Sequence, residues 1–182
     1  HFDRVTKIFE IDEAGMEQKN HLYKEVAPNL ASKISCITGD ITSDGISRSL
    51  IGSGYERDIP SIILMEGISY YVSIEQIDSI IRSFKSAEGI NRFIIEYLVP
   101  YKHISRYYRS IALDIFVLMR IQGKLDKITN LTAAQLGRIF ARYNGDVIES
   151  YTMKYMEQLR TDKNEYFKFS SDGWIEALVA HI

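Results

Sequence analysis

The sequence predicts an α/β protein with a doubly wound, mostly parallel sheet in one domain spanning all 182 residues. Three observations predict it. Short apolar runs alternate along the chain with segments whose apolar residues recur at helical spacing. The run Ile62-Ile63-Leu64-Met65 is short and wholly apolar, the pattern of a strand buried on both faces of a parallel sheet. Successive strand-like runs end in a carboxylate, and open α/β folds take their ligands at the carboxyl edge of the sheet.

Thr6–Asp12 reads as the first strand, with Ile8, Phe9 and Ile11 as its apolar part and Glu10 and Asp12 on one side. Glu13–Ala27 reads as an amphipathic helix through Met16, Tyr23 and Val26, slightly weakened by Gly15 and stopped by Pro28-Asn29. Lys33–Thr38 is the second strand and runs into Gly39-Asp40-Ile41. Thr42–Pro60 is rich in Ser, Gly and Asp and reads mostly as loop, with a short helical turn at Ser47–Ile51. The strand at Ser61–Met65 stops abruptly at Glu66-Gly67. Ser73 and Gln76 then form a capping box, with Val72 and Ile77 as its hydrophobic staple. The helix continues to about Ala87 on Ile74, Ile77, Ile81 and Phe84, and Glu88-Gly89 ends it.

Asn91–Val99 is the fourth strand and Pro100 closes it. Ile104–Gln122 reads as the longest helix, with Ile104, Tyr107, Tyr108, Ile111, Ile115, Leu118 and Met119 as its apolar set and Gly123 as its stop. Thr132 and Gln135 form a second capping box, stapled by Leu131 and Leu136, for a helix that ends near Tyr143 at Asn144-Gly145. Asp146–Thr152 is a fifth strand. Met153–Arg160 fits either class. Tyr166–Ser171, the Asp172-Gly173 turn and Trp174–His181 read as a strand pair or as a strand after a loop.

Composition narrows the function. The formal net charge is -2 and the pI about 6.1, so no basic excess points to nucleic acid. No apolar run is long enough for a membrane span. The N-terminal residues do not resemble a signal peptide, and a single cysteine, Cys36, fits a reducing cytoplasmic compartment. The four histidines show no metal spacing, so no metal is expected. The chain holds 12 tyrosines, rings with a polar tip that suit a pocket or interface as well as half-buried packing.

The acids at Glu10 and Asp12, Asp40, and Glu66 end consecutive strands. Parallel neighbours place them along one edge, where one carboxylate can accept from both ribose hydroxyls and another can read an adenine amine. The alternative is that strand ends are surface positions where acids are common. Lys102, Arg106 and Arg109 beside Tyr107 and Tyr108 suit either an anionic substrate or a solvated helix face.

Ile8-Phe9-Glu10-Ile11-Asp12, followed by Lys19, resembles the acidic second strand of the leucine carboxyl methyltransferase family. Met65-Glu66-Gly67-Ile68-Ser69-Tyr70-Tyr71-Val72 resembles that family's Glu-Gly…Tyr motif, and Thr38-Gly39-Asp40-Ile41 is similar to its adenine-contacting pair. The resemblance covers about Thr6 to Pro100. It implies a Rossmann-like fold of the class I methyltransferase type and S-adenosylmethionine as cofactor. Glu10 and Asp12 would then take the ribose, Asp40 and Ile41 the adenine side, and Glu66 and Gly67 the methionine part. Tyr71 would stand on the acceptor side. The implied reaction is methyl transfer to a carboxylate or hydroxyl oxygen of a small molecule or protein, with no catalytic residue singled out. The chain starts near the family's second strand, so it is expected to lack the first strand and glycine-rich loop and to be an N-terminally truncated piece. A non-catalytic module kept for protein interaction is the alternative. A nucleotide-dependent dehydrogenase is opposed by the absent glycine fingerprint.

Overall fold

The computed structural model describes residues 5–43, 45–86, 91–123 and 125–182. The chain divides into two compact units, His1–Arg57 and Asp58–Ile182.

The first unit holds β1 (Ile8–Asp12), α1 (Met16–Val26), α2 (Pro28–Ala31), β2 (Ile34–Thr38) and α3 (Ile46–Gly52). β1 and β2 pair in parallel, with Glu10 opposite Cys36 and Asp12 opposite Thr38. Gly15 does not weaken α1 from within. It precedes the helix at φ 78°, a left-handed conformation that glycine adopts without a Cβ clash. Met16 is the buried residue of α1, and Val26 is exposed rather than on the inner stripe. Pro28 opens α2 at its first position instead of only ending α1, because a missing N–H costs nothing there. The expected turn at Ser47–Ile51 is the centre of α3, whose Ile46 and Leu50 are buried.

The second unit holds β3 (Ile62–Met65), α4 (Ile74–Ser83), β4 (Arg92–Leu98), a 3-10 turn at Tyr101–His103, α5 (Arg109–Gln122), α6 (Ala133–Ala141), β5 (Asp146–Thr152), α7 (Met153–Thr161) and β6 (Ile175–His181). Its four strands are ordered β3-β4-β6-β5. β3 and β4 are parallel, and β6 runs antiparallel to both β4 and β5. The two parallel pairs thus lie in separate sheets among the described residues, rather than as four consecutive members of one.

One face of this sheet carries the core. Phe93, Ile95 and Tyr97 of β4 are fully buried, as are Leu178 and Ala180 of β6. Phe93 meets the ring of Phe84, just after α4, at 6.2 Å and that of Phe140 on α6 at 5.7 Å. Both helices therefore cover the same face. Ile77 and Ile81 of α4 and Leu136 of α6 are buried there too. Both capping boxes form: Ser73 Oγ accepts from the Gln76 amide, and Thr132 Oγ1 from the Gln135 amide. α4 ends at Ser83, earlier than expected, and the Glu88-Gly89 stop lies outside the described residues.

Two burial expectations fail. Ile62 is 73% and Leu64 60% exposed, while Met65 is buried. β3 ends the order of its sheet among the described residues, and its side chains alternate, Ile62 and Leu64 on the exposed face and Ile63 and Met65 on the covered one. The longest helix starts at Arg109, not Ile104, because a 3-10 turn and a bend consume the first residues. Its buried residues are Ala112 and Phe116, whereas Tyr107, Ile111 and Leu118 are exposed. The stripe is rotated by one residue, about 100°. At the C-terminus, residues 166–171 are loop, and one strand, β6, follows the turn.

Candidate functional site

In the first unit, register sets the geometry. β1 and β2 end together, and the Gly39 amide donates to the Asp12 carbonyl at 2.9 Å. Asp12 and Asp40 are therefore brought to one edge, as their strand-end positions imply. The Asp12 carboxylate is exposed, and its Oδ1 accepts from the Glu13 amide at 2.7 Å. Asp40 Oδ1 accepts from the Thr42 amide at 2.7 Å and the Thr42 hydroxyl at 2.6 Å. These donors, the hydroxyl first, hold its carboxyl below the ordinary carboxylate range. Ile41 follows, half-buried. Glu10 is engaged otherwise. Tyr23 donates to it at 2.8 Å and Lys19 Nζ lies 2.7 Å from Oε2, both partners standing on α1. Lys19 is raised in turn, chiefly by that bond.

In the second unit, Glu66 is the exposed residue directly after β3. Gly67 follows at φ 73°, where a side chain would strain the backbone. Its amide faces Glu96 Oε1 of β4 at 3.4 Å. Ser69, buried, donates its hydroxyl to the Glu96 carbonyl at 2.5 Å. Thr129 fixes the far end of the loop, its amide on the Tyr70 carbonyl at 3.0 Å and its hydroxyl on the Val72 carbonyl at 2.6 Å. Tyr70 is buried and Tyr71 partly exposed, their rings 4.7 Å apart edge to face. The loop carrying Glu66, Gly67 and Tyr71 is thus tied to β4 and to the segment before α6.

Glu96 was not singled out from the sequence, where it is the one acid in the apolar run Phe93–Leu98; that interruption was the available signal. Burial, opposed by the Gly67 amide and aided by the charge of Glu66, raises its carboxyl above the ordinary range. Burial first, then Glu96, also raises Tyr70.

The same carboxyl edge carries further residues. β4 runs out into Tyr101–Tyr108, and β6, being antiparallel, begins there after Phe167–Trp174. Tyr108 meets Phe167 at 5.7 Å and Trp174 at 6.5 Å, and Phe167 meets Trp174 at 6.2 Å. Buried Asp172 clamps the loop by accepting from the amides of Lys168 and Phe169 at 3.1 and 3.0 Å. Arg109 is engaged within the chain. It donates to the carbonyls of Ile104 and Lys102 at 2.9 and 3.1 Å and stacks on Tyr101 at 5.6 Å. A hollow of about 320 Å³ lined by Pro60, Ser61, Ile62, Arg92 and His181 opens at the opposite, amino edge and holds none of the expected residues.

Residues 2–85 match the leucine carboxyl methyltransferase family model. The stretch contains Glu10, Asp12, Asp40, Ile41, Glu66, Gly67 and Tyr71. The resemblance read from those residues holds. No curated protein matches the chain. Solved structures do. A protein assigned as a methyltransferase from Thermobifida fusca YX is 12% identical at a TM-score of 0.66, with 96% of this chain and 62% of that one covered. Magnesium protoporphyrin IX methyltransferase from Synechocystis PCC 6803, with bound S-adenosylhomocysteine, is 11% identical at 0.54, covering 96% and 63%. An O-methyltransferase of neocarzinostatin biosynthesis, in complex with S-adenosylmethionine and 2-hydroxy-5-methyl naphthoic acid, is 8% identical at 0.54, covering 96% and 41%. The chain spans less than two thirds of the length of each. The fold is the α/β fold of the class I methyltransferases.

No helix among the described residues is long and apolar enough to cross a membrane.

Proposed function

We propose that the chain is part of an S-adenosylmethionine-dependent O-methyltransferase acting on a carboxylate or hydroxyl oxygen of a small molecule in a reducing cytoplasm. One observation carries the reading: every residue expected to meet the cofactor lies inside the family-matched stretch. When bound, S-adenosylmethionine supplies an electrophilic methyl on a sulfonium. The protein's work is then alignment more than acid–base chemistry. Asp12 takes the ribose hydroxyls. Its carboxylate is solvent-facing, whereas that of Glu10 is held by Lys19 and Tyr23. Asp40, kept ionised by Thr42, and Ile41 serve the adenine side. Glu66 and Gly67 serve the methionine part, where the glycine admits close approach of the backbone. Tyr71 serves the acceptor side.

Calorimetry with S-adenosylmethionine tests this reading. Asp12→Ala removes a charge-assisted hydrogen bond worth about 1.5–3 kcal/mol, so affinity falls by about ten- to a hundredfold. Unchanged affinity in the folded variant would move the ribose to another group, Glu10 first. No binding by the parent would leave a non-catalytic module.

A further inference from the structure

We propose that the hollow at the amino edge of the second unit's sheet binds a small organic phosphate, held between Arg92 and His181. It lies at the edge away from Glu66, Gly67 and Tyr71, so the site is independent of the methyltransferase reading. Strand register builds it. Ile62 of β3 stands beside Arg92 of β4, and Arg92 stands opposite His181 of β6. Residues paired in this way turn to one face of the sheet. The pair before them, Asn91 and Ile182, exchanges both backbone hydrogen bonds, at 3.3 and 2.9 Å. Arg92 and His181 are therefore the non-hydrogen-bonded pair that follows, the kind whose Cα atoms approach to about 4.5 Å and whose side chains lie closest. The backbone thus sets two donors side by side, and both line a hollow of about 320 Å³ with Pro60, Ser61 and Ile62.

The chemistry of the lining selects the ligand. Both residues are exposed, and among the described residues neither Arg92 nor His181 makes an ion pair. A guanidinium offers a planar fork of N–H donors, and an imidazole offers at least one N–H in either protonation state. The fork takes two oxygens of an anion and the imidazole a third, which a phosphate supplies and a carboxylate does not. No carboxylate lines the hollow. Asp146 of β5, next in the same row, stands opposite His181 on the side away from Arg92. Pro60 and Ile62 give an apolar wall for the ester group. The frame is fixed as well. The Arg92 amide donates to the Ser61 carbonyl at 2.9 Å, and the Ser61 amide to Oδ1 of buried Asn91 at 2.9 Å. Asn91 Nδ2 donates in turn to the Phe84 carbonyl at 2.8 Å. Such a frame has little backbone left to order when a ligand arrives.

Phenyl phosphate, inorganic phosphate and benzoate are the probes, added to the whole chain and followed by NMR at the imidazole Cε1–H signals. The signal of His181 is the one missing from His181→Gln. It should shift saturably with phenyl phosphate. Inorganic phosphate should bind about three- to tenfold more weakly for want of the apolar contact, and benzoate about as weakly for want of the third oxygen. Arg92→Gln, at an exposed position that leaves the core intact, should weaken phenyl phosphate by about tenfold or more with Tm unchanged. Arg92→Lys keeps the charge without the fork and should recover only part of that loss. No saturable shift at His181, or full affinity in Arg92→Gln, would overturn the proposal. Inorganic phosphate or benzoate bound as tightly as phenyl phosphate would do the same. So would a saturable shift at His21 or His103 in place of His181, which would put the phosphate elsewhere on the chain.

Discussion

Two carboxylates near Gly67 differ in a way that mutation can separate. Glu66 is exposed beside the loop, and Glu96 is half-buried beneath it. Glu66→Gln keeps size and removes charge, so S-adenosylmethionine binding or turnover should fall while Tm hardly moves. A variant that melts early yet binds normally would make Glu66 structural. Glu96 titrates in the opposite sense to a paired surface acid. Its folded-state carboxyl lies above its ordinary value of 4.5, so the folded chain holds that proton more tightly than the unfolded one. Its stabilising effect is present below that value and is lost as pH rises through the folded pKa. Glu96→Gln, which can still accept from Gly67, should therefore raise Tm at pH 8 and not at pH 4, by about 2–4 °C for each kcal/mol recovered. A destabilised variant at pH 8 would show the carboxylate to be needed in its charged form. Thr42→Ala should move Asp40 upward toward the ordinary range, read by NMR titration. An unmoved Asp40 would mean that other donors hold it. The strand-end positions of Asp12, Asp40 and Glu66 were legible in the sequence because each stands at or just past the end of a strand-like run, Asp40 after Thr38-Gly39. Glu96 was not, since its meaning comes from a loop residue 29 positions earlier.

Among the elements, those specified by adjacent residues were read best. Both capping boxes depend on residues three apart, and both form as the sequence implies. Ser73→Ala and Thr132→Ala should each cost about 1 kcal/mol, seen as a loss of about 2–4 °C in Tm. No loss in either would mean that packing of Ile77 or Leu136 alone sets the helix start. β5 was also legible at Asp146–Thr152. The place of β6 was not, because inserting it antiparallel between β4 and β5 is a pairing between distant segments that leaves no local trace. α5 shows a third case. Its apolar residues surround so much of the helix that periodicity did not fix the phase, and a bend after Tyr101–His103 set it one residue away.

At the scale of the molecule, a single domain over residues 1–182 predicts one cooperative thermal transition, with Trp174 emission and far-UV circular dichroism coinciding. Two separated transitions would instead make His1–Arg57 and Asp58–Ile182 independent folding units. The alternation of strands and helices conveyed the fold class because it is a property of the whole chain, whereas burial could not be read before the outermost strands were known. That reversal at β3 bears on how the protein behaves in a tube. Among the described residues, Ile62 and Leu64 lie exposed on a strand at the end of its sheet, an edge whose backbone groups can pair with another strand. Its shortness and Pro60 just ahead of it are the restraints in place. Ile62→Lys adds a charge to that border and should slow turbidity growth at high concentration.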